Sequence, residues 1–466
     1  MSDLHFHYRS VVAGVLGAVG LMQPSAANAI PAFARQTEQP CMTCHVGSFG
    51  PQLTDYGRDF KMNGYVWGKS DVKPWEHLSV MALAGLEHYG KGIQNTPPNP
   101  GGPLSTYNSN DNLSLDQASL FYGGRIYDKI GAFVQTTYTD SQRNFHLDNT
   151  DIRYADTGNI GDHLILYGVT VNNNPTVQDV WQTSPAWIFP YATPSSNAPK
   201  AQFAPALWNP VGGFGQKAIG TGVYAELDDA FFLEVTNYAG LNESLQKFGG
   251  VTGSATSDRL RAFNPYWRFT YDYHDGEQTF EIGTYGMDLH YWPGNVREAG
   301  ADRRTDYAVD ASYQRFINDS KHIVSLYATA IHEDADQNAE IGTGGASTRH
   351  LTLNTIHANA SYYYDNTYGV TVGRTITTGS SDALIYGPGT TANSANSKPD
   401  TSAWTFQIDY SPFGKEDSYG ASYLNLRLFA QYTLYDKYMG ATSNWDGNGA
   451  NARDNNTFFT GVWVAF

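Results

Sequence analysis

Along most of the chain, apolar and polar residues trade places one by one. Trp404, Phe406, Ile408 and Tyr410 alternate with Thr405, Gln407 and Asp409, and Trp267, Phe269, Tyr271 and Tyr273 alternate with Arg268, Thr270 and Asp272. Val324, Leu326, Ala328 and Ala330 stand against Ser325, Tyr327 and Thr329; Leu424, Leu426, Leu428, Ala430 and Tyr432 stand against Asn425, Arg427, Phe429 and Gln431. A period of two with one polar face predicts strands with lipid on one side and water on the other. From about Trp75 to Phe466 the chain reads as a series of such strands, about sixteen of them, an even number as a closed antiparallel barrel requires.

The breaks between strands alternate as well. Tight ones are predicted near Tyr127-Asp128-Lys129, Thr157 to Asp162, Asp228-Asp229, Asp275-Gly276-Glu277, Asn318-Asp319-Ser320, Asp365-Asn366-Thr367 and Pro412 to Tyr419. Long Gly/Asn/Ser/Pro-rich ones are predicted at 91–112, 141–149, 174–216, 241–261, 292–304, 333–349, 379–400 and 437–454. Short turns on one rim and long loops on the other are the pattern of outer-membrane barrels. The chain ends Gly461-Val462-Trp463-Val464-Ala465-Phe466, an alternating strand with a terminal aromatic. A soluble sandwich or propeller would not need apolar residues facing outward on so many strands, and no blade-like repeat is present. The fold class is therefore all-β, a transmembrane antiparallel barrel. With the first connection outside the cell, both termini lie in the periplasm, and an N-terminal segment can plug the lumen.

Three parts are expected: a signal peptide over 1–29, a short helical segment over 30–74 and the barrel over 75–466. Arg9 closes a weakly basic start, Val11 to Met22 is apolar but too short to span a bilayer, and Ala27-Asn28-Ala29 is a small-x-small cleavage pattern.

Composition fits an exported membrane barrel. Aromatic residues make up 14% of the chain, 32 of them Tyr, while mean hydropathy is only −0.42; aromatic girdles with half-polar strands produce that combination. A formal charge of −16 argues against nucleic acid as a partner and favours cationic ones. Two cysteines, three positions apart, build no disulfide framework.

Those cysteines belong to Cys41-Met42-Thr43-Cys44-His45, the C-x-x-C-H attachment signal of haem c. The spacing sets two sulfurs beside the porphyrin vinyl groups, and the next residue reaches the iron with its imidazole. A thioredoxin-like pair would need a βαβ context, and half a zinc site would need a second ligand pair. The other axial ligand stays open. Pro51 to Asn63 reads as a short helix, followed by Gly64, and places Met62 as a candidate. His77, His88 or an open iron are alternatives. Residues 30–74 are too few to bury a haem alone, so the barrel lumen is the expected shelter.

Phe33-Ala34-Arg35-Gln36-Thr37, Cys41 to His45, Leu53-Thr54, Gly57-Arg58, Phe60-Lys61 and Gly64-Tyr65 resemble the N-terminal signature of fused outer-membrane monohaem cytochrome–porins. Asn172 to Asp179, with Trp181, is similar to a second motif of that family, at the start of the longest connection. The resemblance implies oxidation of extracellular ferrous iron at one covalently bound haem c. It also implies electron transfer to a periplasmic c-type cytochrome or copper protein, with outer-membrane lipid as surroundings. A porin whose haem segment is a plug or redox gate, and a conduit running outward, are the competing readings. No acid–base or nucleophilic constellation stands out. Asp272, Asp306, Asp310 and Asp409 are expected on lumen faces, and Glu333, Asp334 and Asp336 on a loop, either steering cations or simply solvated. Trp181, Trp187, Phe189 and Tyr191 make the 174–216 connection too apolar for a free external loop, so it is expected to fold into the lumen as a lid over the haem.

Overall fold

The computed structural model describes residues 30–91, 110–139, 144–184, 188–194, 217–251, 255, 257–390, 392–420 and 423–466. The signal peptide expected over 1–29 lies outside them.

One antiparallel sheet of seventeen strands closes on itself. The first strand, Leu78–Tyr89, pairs with Asp111–Tyr127 on one side and with the last, Thr457–Ala465, on the other. One strand, Arg259–Leu260, has just two residues and lies against the end of Gln278–Trp292. The remaining sixteen form the barrel that the alternation predicts. Phe466 extends the closing ladder, its amide donating to the Val80 carbonyl at 2.8 Å. Closure leaves no unpaired strand edge facing lipid, where an unmet backbone group would cost several kcal/mol.

The two faces are inverted relative to a soluble barrel. Ile408, Val309, Val223, Leu233, Val370 and Ile282 are exposed, whereas Arg153, Arg268 and Arg427 point inward and are buried. Tyr273, Tyr364, Tyr368 and Tyr410 form an outward aromatic band beside the short turns, as barrels place at a membrane interface. Among the described residues no helix is long and apolar enough to cross a membrane; the strands cross instead.

The tight turns fall where the sequence places them, except that the one expected at Thr157 to Asp162 narrows to Gly161-Asp162, because the strand Phe145–Ile160 runs on through Thr157. Asp228 and Asp229 at φ 54° and 56°, and Asp365 and Asn366 at 52° and 50°, adopt the left-handed geometry that short hairpins need. Loop boundaries differ as well, and the strand Asp302–Ile317 starts inside the loop expected at 292–304. The strand Phe145–Ile160 starts inside the loop expected at 141–149. The strand His322–Asp336 runs on through the residues assigned to a loop at 333–336, so Glu333, Asp334 and Asp336 are strand residues. Ladder pairing with both Asp302–Ile317 and His350–Tyr364 holds them there. The segment preceding the first strand and the final residue both lie at the rim of short turns.

Candidate cofactor site in the lumen

The N-terminal segment folds onto itself before it meets the wall. Helix Pro31–Thr37 begins on a proline and ends at Glu38, at φ 57°. Phe33 stacks on Tyr65 at 5.3 Å and meets the edge of Phe60 at 5.0 Å. Gln36 donates to the carbonyls of Tyr65 and Trp67 at 2.7 and 2.9 Å and accepts from the Arg125 amide at 2.8 Å. Tyr65 then donates to the Asp151 carboxylate at 2.6 Å. The residues that carried the resemblance are thus the ones that close this unit and dock it.

Cys41–Cys44 forms a single helical turn behind Pro40, and His45 leaves it in extended conformation, bridged to Leu53. Both cysteines are buried and are not joined in a disulfide. Asn425 Nδ2 donates to Cys41 Sγ at 2.9 Å. Burial, and then the neighbouring Cys41, push the Cys44 thiol up to about 12, the reverse of the lowered value that thiol exchange uses. Among the described residues no three His, Cys, Asp or Glu side chains converge as a metal site, so the second zinc pair does not arise from elsewhere in the fold. Burial pushes His45 down to about 4, against a weaker upward pull from the backbone at Gln52 and Gly50. Its Nδ1 makes no hydrogen bond among the described residues, and neither end of the buried Gln52 amide does.

The following helix spans Asp55–Met62 and starts four residues later than the sequence predicts. The reason is Thr54, whose hydroxyl accepts from the Gly57 amide at 3.3 Å as a cap and donates to the Thr43 carbonyl. Gly57 lets this helix sit directly on the cysteine turn: a Cβ there would lie 2.3 Å from the Cys44 carbonyl oxygen.

The barrel grips the site at the turn rim. Ser48 donates to the carbonyls of Asn366 and Phe413 at 2.9 and 3.1 Å, Asn425 donates to the Ser48 carbonyl at 2.6 Å, and Arg427 donates to that of Phe49. Phe49 meets Trp463 edge-on at 5.2 Å. The Met42 amide reaches the Gly414 carbonyl at 3.1 Å. All these wall groups lie in, or within a few residues of, the short-turn ends of their strands.

The remaining candidates separate. Met62 is buried with Leu166, Val180, Trp181, Tyr224 and Phe232, a cluster that contains none of Cys41, Cys44 and His45. His77 is buried against Tyr122, its Nδ1 3.2 Å from the Gly123 carbonyl. His88 faces outward near the other rim, paired with Asp111 at 2.7 Å.

The connection after Asn172 does turn inward, over its described residues 173–184 and 188–194. Asn174 caps the turn Pro175–Gln178. Asp179 gathers the amides of Trp181, Thr183 and Ser184 at 2.9 to 3.0 Å. Trp181 and Phe189 are buried, Tyr191 packs against the cluster around Phe49 and Trp463, and Trp187 lies outside the described residues. These residues do not perch near the long loops as a lid. They run down beside the segment: Lys61 donates to the Asp179 carbonyl at 2.7 Å, and Trp181 packs on Met62.

The lumen carboxylates lie where the alternation puts them, but they are not solvated. Asp272 is 3.5 Å from Arg58 and accepts from Trp181 at 3.2 Å; Asp310 is 2.5 Å from Arg268; Asp409 is 3.7 Å from Arg427. Sequence reasoning passed over the arginines Arg153, Arg268 and Arg427 as anchors. Their signal was present: each occupies an inward position of an alternating strand, where a lone cation needs a partner.

No protein-family model and no curated protein matches the sequence. Among solved structures, the outer-membrane channel DcaP of Acinetobacter baumannii aligns over 84% of this chain and 96% of its own, at 13% identity and a TM-score of 0.43. OprB of Pseudomonas putida aligns over 89% and 98%, at 10% identity and 0.44. An anion-selective porin from Comamonas acidovorans aligns over 83% and 98%, at 12% identity and 0.41.

Proposed function

We propose that this protein is an outer-membrane electron conduit, with one haem c held by Cys41, Cys44 and His45. The observation that carries the reading is the C-x-x-C-H turn itself, buried within the barrel with its two cysteines not joined in a disulfide. The residues fit such a group: two sulfurs one helical turn apart, a neutral imidazole directly after them, and orphaned polar atoms at His45 and Gln52. The haem would supply one-electron redox chemistry. Cys41 and Cys44 would tether it, His45 would hold its iron, and the barrel would exclude bulk water around it. Met62, the second ligand candidate by sequence, packs instead with Trp181 and Phe232.

Ferrous iron outside the cell is the proposed donor, following the resemblance, and a periplasmic c-type cytochrome or copper protein the acceptor. The turn rim is then the periplasmic side and gives the acceptor short access. The donor has further to travel. The strand Asn425–Lys437 has thirteen residues, and at about 3.3 Å each with a tilt of about 40° the lumen is roughly 30 Å deep. The ion must therefore enter the barrel to come near the site.

The test is the spectrum of the purified full-length protein during addition of ferrous iron at near-neutral and acid pH. Rapid haem reduction supports the proposal. A haem that stays oxidised, in a protein that passes small solutes in liposomes, supports instead a porin with a plug or redox gate. Oxidation of the reduced protein by external ferric species alone would support a conduit running outward.

A further inference from the structure

The long-loop half of the lumen holds a pair of acids that the haem reading does not use. Asp306 and Glu333 are directly opposed on neighbouring strands, and both are buried, at 1% and 2% exposure. Like charges in register across a ladder oppose folding, so the pair needs something between its members. Glu333 Oε1 is taken by Arg304 at 2.9 Å. Three oxygens are left: Glu333 Oε2 and both oxygens of Asp306 have no hydrogen-bond partner among the described residues. A buried carboxylate without a partner is costly. The neighbouring acids are better held, with one oxygen of each left over: Asp310 by Arg268 and Thr183, and Asp272 by Arg58 and Trp181.

We infer that Asp306 and Glu333 form a binding site for one hard divalent cation just inside the long-loop rim. Three carboxylate oxygens from two facing residues, with the rest of the coordination completed by water, are a donor set such ions take. Arg304 does not cancel the site, because it is itself flanked by Asp302 and Glu340. Asp306 is the fifth residue of its strand, Asp302–Ile317, so the site lies roughly 13 Å below the loops. A cation there would be a waypoint on the descent that the conduit reading requires, yet the site stands on its own residues and does not depend on that reading.

The probe is Mn2+ alone, titrated into the detergent-solubilised full-length protein, with free ion followed by electron paramagnetic resonance. The wild type should bind one Mn2+ that Mg2+ at high concentration displaces. Asp306→Asn and Glu333→Gln should each weaken it at least about tenfold, the loss typical even of outer-shell changes at metal sites. Asp310→Asn is the control and should leave Mn2+ binding unchanged. Heat-modifiable migration checks that each variant is a folded barrel. No saturable Mn2+ binding by the wild type, or equal binding by Asp306→Asn, would overturn the site and leave an acid pair that shares a proton. Haem reduction is not the readout, so the cation site and the electron conduit can fail separately.

Discussion

Two pieces of chain fill this lumen, and they are held in different ways. Up to Thr54 the segment 30–67 is fixed mainly by neutral contacts: aromatic stacking around Phe33, the branched hydrogen bonds of Gln36, and carbonyls at Ser48 and Phe49 bound by Asn425 and Arg427; only its helix Asp55–Met62 adds ion pairs to the wall, Arg58 with Asp272 and Asp55 with His274. The connection 173–194 is fixed by charge. Arg268 lies 3.5 Å from Asp179 and 2.5 Å from Asp310, Arg153 donates to the Gln178 carbonyl at 2.7 Å, and Trp181 is pinned to Asp272. The two touch at Lys61 and Met62. Fixing a backbone turn places Cys41, Cys44 and His45 without bringing opposing charges to them. Pinning a crossing strap to a polar wall requires them, because the wall is polar by construction.

The comparison predicts different failures. Cys41→Ala and Cys44→Ala should each abolish stable haem retention, with the barrel still inserted, since closure does not depend on these residues. Haem-stained gels check this, and normal covalent stain in both variants would sink the assignment. Arg268→Met breaks the other attachment. It leaves Asp310, Asp179 and Glu281 buried without their cation and should cost about 3–5 kcal/mol, read as a lower thermal midpoint. Covalent haem should persist but react faster with bulky oxidants. If the oxidant rates do not change, the connection plays no part in sheltering the site.

Met62 sharpens the boundary between the two pieces. Packed with Trp181 and Phe232, it should tolerate Met62→Leu at a cost below about 1.5 kcal/mol, with an unchanged haem spectrum; a changed spectrum would make it the distal ligand. The smallest effect belongs to Asp59. Burial, then Asp55 and Asp229, push its carboxyl up from 3.8 to about 7. A raised folded value means its stabilising contribution is full below pH 3.8 and lost as pH climbs through about 7. The thermal midpoint should therefore fall across that window, and Asp59→Asn should flatten the fall. An equal slope in both proteins would assign the pH response elsewhere.

The alternation of residues such as Trp404 to Tyr410 was enough to read the barrel, its sixteen strands and its tight turns, because a strand between lipid and water writes its two faces into consecutive residues. The C-x-x-C-H motif was legible because its five residues are consecutive and its spacing is fixed in the sequence itself. What the sequence could not show was everything that depends on long-range pairing. Glu333 reads as part of a polar loop until its partners Asp306 and Leu353 make it a strand residue facing inward. Arg427 reads as an ordinary polar position until closure brings it to Phe49, 378 residues away. The Thr54 cap, the descent of Trp181 to Met62 and the level of the cysteines at the turn rim were likewise decided by packing inside the closed sheet. Local periodicity reports which face of an element meets which solvent; which groups meet across a lumen is set by register and closure, and those exist only once the whole sheet has formed.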